Sequence, residues 1–128
     1  KPNSLNINRA ISKNYFKDKT DSLNQLNGNF CGLIFDENKD KVIFFRDPYG
    51  LEQIYIYKID DFIIFSSDLS YFKKIKICNT IDLEAVGQFL RFLYVPAPST
   101  IYDKVISVLP GHIVAFGKDV SKINQIEF

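Results

Sequence analysis

Apolar and polar positions alternate in blocks along this chain, and the blocks predict its elements. From Asn3 to Asn24 the sequence is polar, with Leu5, Ile7, Ile11 and Tyr15 falling on one helical stripe. Thr20 or Asp21 is placed to cap a short second helix through Leu23 and Leu26. The stretch 29–35 is then almost wholly apolar, the polar run Asp36-Glu37-Asn38-Lys39-Asp40 follows, and Val42 to Phe45 is apolar again. Two short β-rich runs around a polar loop predict a β-hairpin. Both faces of its first strand are apolar, so that strand is expected to be covered on both sides. Asp47-Pro48-Tyr49-Gly50 reads as a turn, with Pro48 fixing φ and Gly50 free to take φ > 0.

A second hairpin is predicted from Ile54–Tyr57 and Phe62–Phe65, joined at Asp60-Asp61. A short helix over Asp68–Lys74 has Ser66 or Ser67 as its expected cap. Asp82 caps a clearer helix in which Leu83, Val86, Leu90 and Leu93 share a face, reinforced by Phe89. Pro96 is expected to end that helix and Pro98 to keep the chain extended. A last strand at His112–Phe116 precedes a polar tail. The pattern contains no repeat and no linker. It predicts one domain over residues 1–128 of α+β class: an antiparallel sheet with flanking helices, its neighbouring strands paired as a meander.

Composition agrees with a folded domain. The 128 residues are 46% hydrophobic, enough for one core but not for two. Formal charge is +1 with both signs interspersed, so neither a nucleic-acid face nor a membrane-binding patch is expected. The most basic spot, Lys73, Lys74 and Lys76, reads as a solvated helix end. No apolar run approaches the roughly 20 residues of a membrane span, and no signal peptide is visible. Cys31 and Cys78 form neither a disulfide framework nor a metal knuckle, which points to a reducing, cytoplasmic setting. The chain begins at Lys1 rather than methionine, as a trimmed, processed or partial polypeptide would.

Four stretches, in order, resemble the asparagine synthetase family. Leu26-Asn27-Gly28-Asn29-Phe30 with Ile34-Phe35-Asp36 is similar to the family's L-x-G-x-F strand entry and the aspartate that closes the strand. Arg46-Asp47-Pro48-Tyr49-Gly50, leading to Ile54-Tyr55, resembles its A-R-D-x-x-G-x-x-P-L-Y-Y. Phe65-Ser66-Ser67-Asp68 resembles F-A-S-E before a helix. The longest runs through Ile81-Asp82-Leu83-Glu84-Ala85, Phe89-Leu90, Tyr94-Val95-Pro96-Ala97-Pro98-Ser99-Thr100-Ile101-Tyr102 and Leu109-Pro110-Gly111-His112. The resemblance covers about Leu23 to Phe116. It implies the later part of a class II glutamine amidotransferase domain, whose fold is the αββα sandwich of the N-terminal-nucleophile hydrolases. Gly28, Phe30, Asp36, Arg46, Asp47, Gly50, Tyr55, Ser67, Pro96, Pro98 and Gly111 are the motif positions, and all read as structural rather than catalytic.

Glutamine hydrolysis in that family needs a cysteine at the first residue, whose own α-amine is its base. Residue 1 here is Lys1. Cys31 lies in an apolar strand, where a thiol stays protonated, and Cys78 has no histidine near it in sequence. His112, the only histidine, sits in a Pro-Gly-His turn and reads as a loop residue. The family's glutamine-binding arginine and its N-G-E-I-Y-N segment lie before the matched region. By spacing, its substrate-binding aspartate falls near Ile7 or Asn8, neither of them acidic. Gln53 replaces an expected proline, and Leu109-Pro110 replaces a doubled one. A serine- and glycine-rich pyrophosphate loop is absent, so ATP and Mg belong to a synthetase domain of the parent and no cofactor is expected in this chain.

These observations predict a glutaminase-domain segment that does not itself cut glutamine. Its expected partner is a synthetase domain or a second copy. The alternatives are a docking or scaffold module of a degenerate relative, of the β-lactam synthetase or lasso-peptide cyclase type, and a stand-alone interaction domain that uses exposed sheet edges.

Overall fold

A computed structural model describes residues 26–117 and 124–127. The helix expected on the Leu5–Tyr15 stripe lies outside them, as does the second expected helix apart from Leu26, which is not helical. In chain order the elements are β1 (Cys31–Asp36), β2 (Lys41–Arg46), β3 (Tyr55–Ile59), β4 (Phe62–Ser66), α1 (Ser70–Lys74), α2 (Leu83–Phe92), β5 (Val105–Ser107), β6 (His112–Phe116) and β7 (Asn124–Glu127). The class is α+β, with antiparallel pairing throughout.

Both predicted hairpins form, β1–β2 and β3–β4, but they do not join into one meander. The first belongs to a four-stranded sheet of order β1-β2-β6-β7, and the second to a three-stranded sheet of order β4-β3-β5. Alternation explains the split. On β2, Phe44 faces one side and Ile43 and Phe45 the other, and all three are buried. Phe44 packs with Val114 and Phe116 of β6 and with Ile54, Ile56 and Val108 in a core between the sheets. Ile43 and Phe45 join Ile113 and Ala115 on the opposite face, with Leu26, Phe30 and Ile34 against them. Each fully buried aliphatic or aromatic side chain contributes about 1.5–3 kcal/mol, so a central strand buried on both faces anchors the fold. A third cluster, Tyr57, Phe72, Cys78 and Val105, covers the other face of the small sheet and holds α1 there through Phe72.

Several expectations need correction. It is β2, not β1, that is covered on both faces: β1 ends its sheet, and Leu33 and Phe35 stay about half exposed. The polar tail contributes a strand, β7, whose place is set by pairing with β6. The three-residue β5 carries no period of its own and exists because β3 offers a free edge. Neither serine caps α1; the Asp68 carboxylate accepts from the Ser70 N–H at 2.8 Å, while Ser66 Oγ accepts from the Asp68 N–H.

Helix α2 begins as expected, with the Asp82 carboxylate accepting from the Glu84 and Ala85 N–H groups. It ends at Leu93, which takes φ 64° as a left-handed cap, before Pro96 is reached. Most of its apolar stripe is turned to solvent. The buried contact is Ala85, while Leu83, Leu90 and Leu93 are 82%, 75% and 80% exposed. After it, Ala97–Pro98 is a cis peptide rather than a simple extended link.

Candidate functional site

Among the described residues, the loop after β2 is densely hydrogen-bonded, and two adjacent residues of opposite charge build it without pairing to each other. Arg46 is buried at the end of β2. Its guanidinium donates three hydrogen bonds of 2.6 Å: Nε to the Glu52 carbonyl, Nη1 to the Val108 carbonyl and Nη2 to the Gly50 carbonyl. Only a planar fork reaches three carbonyls this way. Asp47 is fully buried. One carboxylate oxygen accepts from the Tyr49 and Leu51 N–H groups at 3.0 and 3.2 Å, and the other accepts from Glu52 N–H at 3.1 Å. Burial pushes its carboxyl pKa up, but the backbone N–H groups of Glu52, Leu51, Tyr49 and Gly50 outweigh that and hold it below the ordinary aspartate value.

The backbone of Asp47 completes the knot. Its N–H donates to the Phe30 carbonyl at 2.8 Å, and its carbonyl accepts from Gly50 at 3.1 Å and Gly111 at 3.0 Å. The loop thus ties β1's entry, the turn into β3 and the entry to β6 together. Gly50 sits at φ 65°, and a Cβ there would come within 2.7 Å of Pro110; shape and conformation both require glycine.

Beside this knot lies a cleft of about 530 Å³ between α2 and the 94–101 segment. Arg46, Gln53, Tyr55, Phe89, Leu93, Tyr94, Thr100, Ser107 and Pro110 are among its walls. Thr100 fixes the far wall: its hydroxyl donates to the Val105 carbonyl at 2.9 Å and accepts from the Tyr102 N–H at 3.2 Å. The Pro98 carbonyl accepts from Ser107 N–H at 2.8 Å, which seats the proline segment on the small sheet. Among the described residues no thiol, carboxylate or imidazole lines this cleft. Its one charged group, Arg46, is committed to three carbonyls. The hydroxyls on its walls, those of Ser99, Thr100 and Ser107 among them, have no carboxylate or imidazole beside them in the cleft to act as a base.

The two thiols lie elsewhere. Cys31 borders a second cleft, of about 370 Å³, with Gly32, Leu33, Gln53, Ile54, Phe65, Ser66 and Ser67. Its Sγ lies 3.6 Å from the Gln53 carbonyl, an acceptor only, so it sits there as S–H. Burial raises its pKa further, with the Glu52 and Asp47 charges acting in the same direction against Arg46. Cys78 is buried in the Tyr57–Phe72–Val105 cluster, where burial and then the charge of Asp103 raise its pKa as well. His112 Nδ1 lies 2.7 Å from the Pro110 carbonyl, which can only accept, so this nitrogen carries the proton. The imidazole is bonded to that turn rather than to either sulfur. No group of three or more His, Cys, Asp or Glu among the described residues is arranged to hold a metal ion.

The motif positions therefore converge in part. Arg46, Asp47, Gly50 and Gly111 share the knot, and Tyr55 faces the cleft beside it. Asp36 is separate: buried at the end of β1, it accepts from the Lys39 N–H and pairs with the Lys39 ammonium at 3.5 Å. Phe30 packs on Phe45, 6.1 Å between ring centroids. Gly28, at φ 111°, has open space around it, Ser67 lines the Cys31 cleft, and Pro98 forms the cis bond with Ala97, next to Pro96. The acceptors Glu52 and Val108 and the hub Thr100 were not foreseen, since backbone carbonyls and a lone threonine leave no mark in a sequence.

Comparison with known proteins now places the chain. A family model described as a glutamine amidotransferase domain matches residues 10–126. Over 93 residues the chain is 33% identical to asparagine synthetase (glutamine-hydrolyzing) 1 of Bacillus subtilis, covering 73% of this chain and 15% of that protein. Over 119 residues it is 28% identical to putative asparagine synthetase (glutamine-hydrolyzing) 2 of Methanocaldococcus jannaschii, covering 91% of this chain and 23% of that protein. The chain thus spans less than a quarter of the length of these relatives. With its two antiparallel sheets and its knotted Arg-Asp-Pro-Tyr-Gly loop, the chain belongs to the glutamine amidotransferase domain family, in its asparagine synthetase-like form.

Proposed function

We propose that this chain is the later part of the glutaminase unit of an asparagine synthetase-like, ATP-dependent amidotransferase, and that it shapes and docks that unit rather than cutting glutamine. The observation that carries this is the state of its thiols. Cys31 is hydrogen-bonded as S–H and Cys78 is sealed in a core cluster, and burial raises the pKa of both. A nucleophilic sulfur needs the opposite environment, exposed and electropositive. The relatives are named as glutamine-hydrolyzing asparagine synthetases, so in the parent reaction ammonia from glutamine would pass to aspartate. ATP and Mg chemistry would belong to the synthetase part of such a parent.

The outward leucines of α2 support a docking role. Leu83, Leu90 and Leu93 present apolar surface to solvent, and Leu93 also lines the cleft; a partner covers such surface more favourably than water does. The synthetase part of the parent is the expected partner. Among the described residues no helix is long and apolar enough to cross a membrane, and we place the protein in the cytoplasm, where two unpaired cysteines remain reduced.

A second reading, a non-catalytic scaffold of a degenerate relative, is favoured by Ile7 and Asn8, where the resemblance leads one to expect an aspartate. One experiment separates the two. The polypeptide that precedes the matched segment in the Bacillus subtilis relative is joined to this chain, and ammonia release from glutamine is measured. Turnover supports the glutaminase-unit reading; a folded chimera without turnover supports the scaffold.

A further inference from the structure

We draw no further inference here: the strongest candidate, the cleft between α2 and the 94–101 segment together with the exposed apolar stripe of that helix, belongs to the site already described, and nothing among the described residues shows what fills or covers it.

Discussion

Replacing Arg46 with alanine removes the single group that ties the carbonyls of Gly50, Glu52 and Val108 together. Each bond from a charged donor contributes about 1.5–3 kcal/mol net, and a buried acceptor left unpaired costs about 1–3 kcal/mol. The three are not additive, because all belong to one side chain and the loop can partly relax toward water. The Glu52 and Gly50 carbonyls lie in part-buried bonds and recover some hydration, whereas the bond to Val108 is buried. The expected loss is therefore about 3–5 kcal/mol, a large share of the roughly 5–15 kcal/mol that holds a domain together. Lysine is no substitute: a point charge reaches one carbonyl well, so Arg46→Lys should recover less than about half of the loss. Urea unfolding followed by far-UV circular dichroism gives both values, with the midpoint shifting at constant slope. A loss below about 1 kcal/mol for Arg46→Ala, or full recovery by lysine, would show that the knot does not depend on the fork.

Asp47 makes the same loop sensitive to acid. Its folded pKa is depressed, so it adds stability above the ordinary aspartate value of 3.8, and that stability is lost as pH falls through the lower folded value. Asp47→Ala should flatten this acid limb of a stability–pH curve, and an unchanged limb would exclude it as the source. Asp82→Ala should cost about 1 kcal/mol by removing the cap of α2, visible as a small midpoint shift in the same urea titration. Leu90→Ser should change stability by less than about 0.5 kcal/mol because the side chain is already in water. The same change should weaken binding to a synthetase-type partner in a calorimetric titration; a large loss of stability would place Leu90 in a core instead.

What could be read before the structure follows from what leaves a local signature. The two hairpins, the strand at His112–Phe116 and the Asp82 cap were legible because period-two runs, turn residues and a capping carboxylate are local signals. Sheet membership was not, because it depends on β6 returning beside β2, a pairing between distant segments. β5 and β7 were invisible for the same reason: each is held by the strand it pairs with rather than by its own pattern. The apolar stripe of α2 was legible but its exposure was not, since periodicity reveals a stripe and not what lies against it. At the candidate site, Arg46, Asp47 and Gly50 were singled out as a structural turn. That they act through backbone carbonyls and N–H groups rather than through each other could not be read, because those partners are the same at every residue.

The central claim, that the thiols of this segment cannot serve as the nucleophile of glutamine hydrolysis, is tested most directly by ammonia release. The purified chain is incubated with glutamine and ammonia is measured with a coupled enzymatic assay, alongside Cys31→Ser and Cys78→Ser. The account predicts background release from all three. Turnover by the unsubstituted chain that disappears with either serine would contradict it.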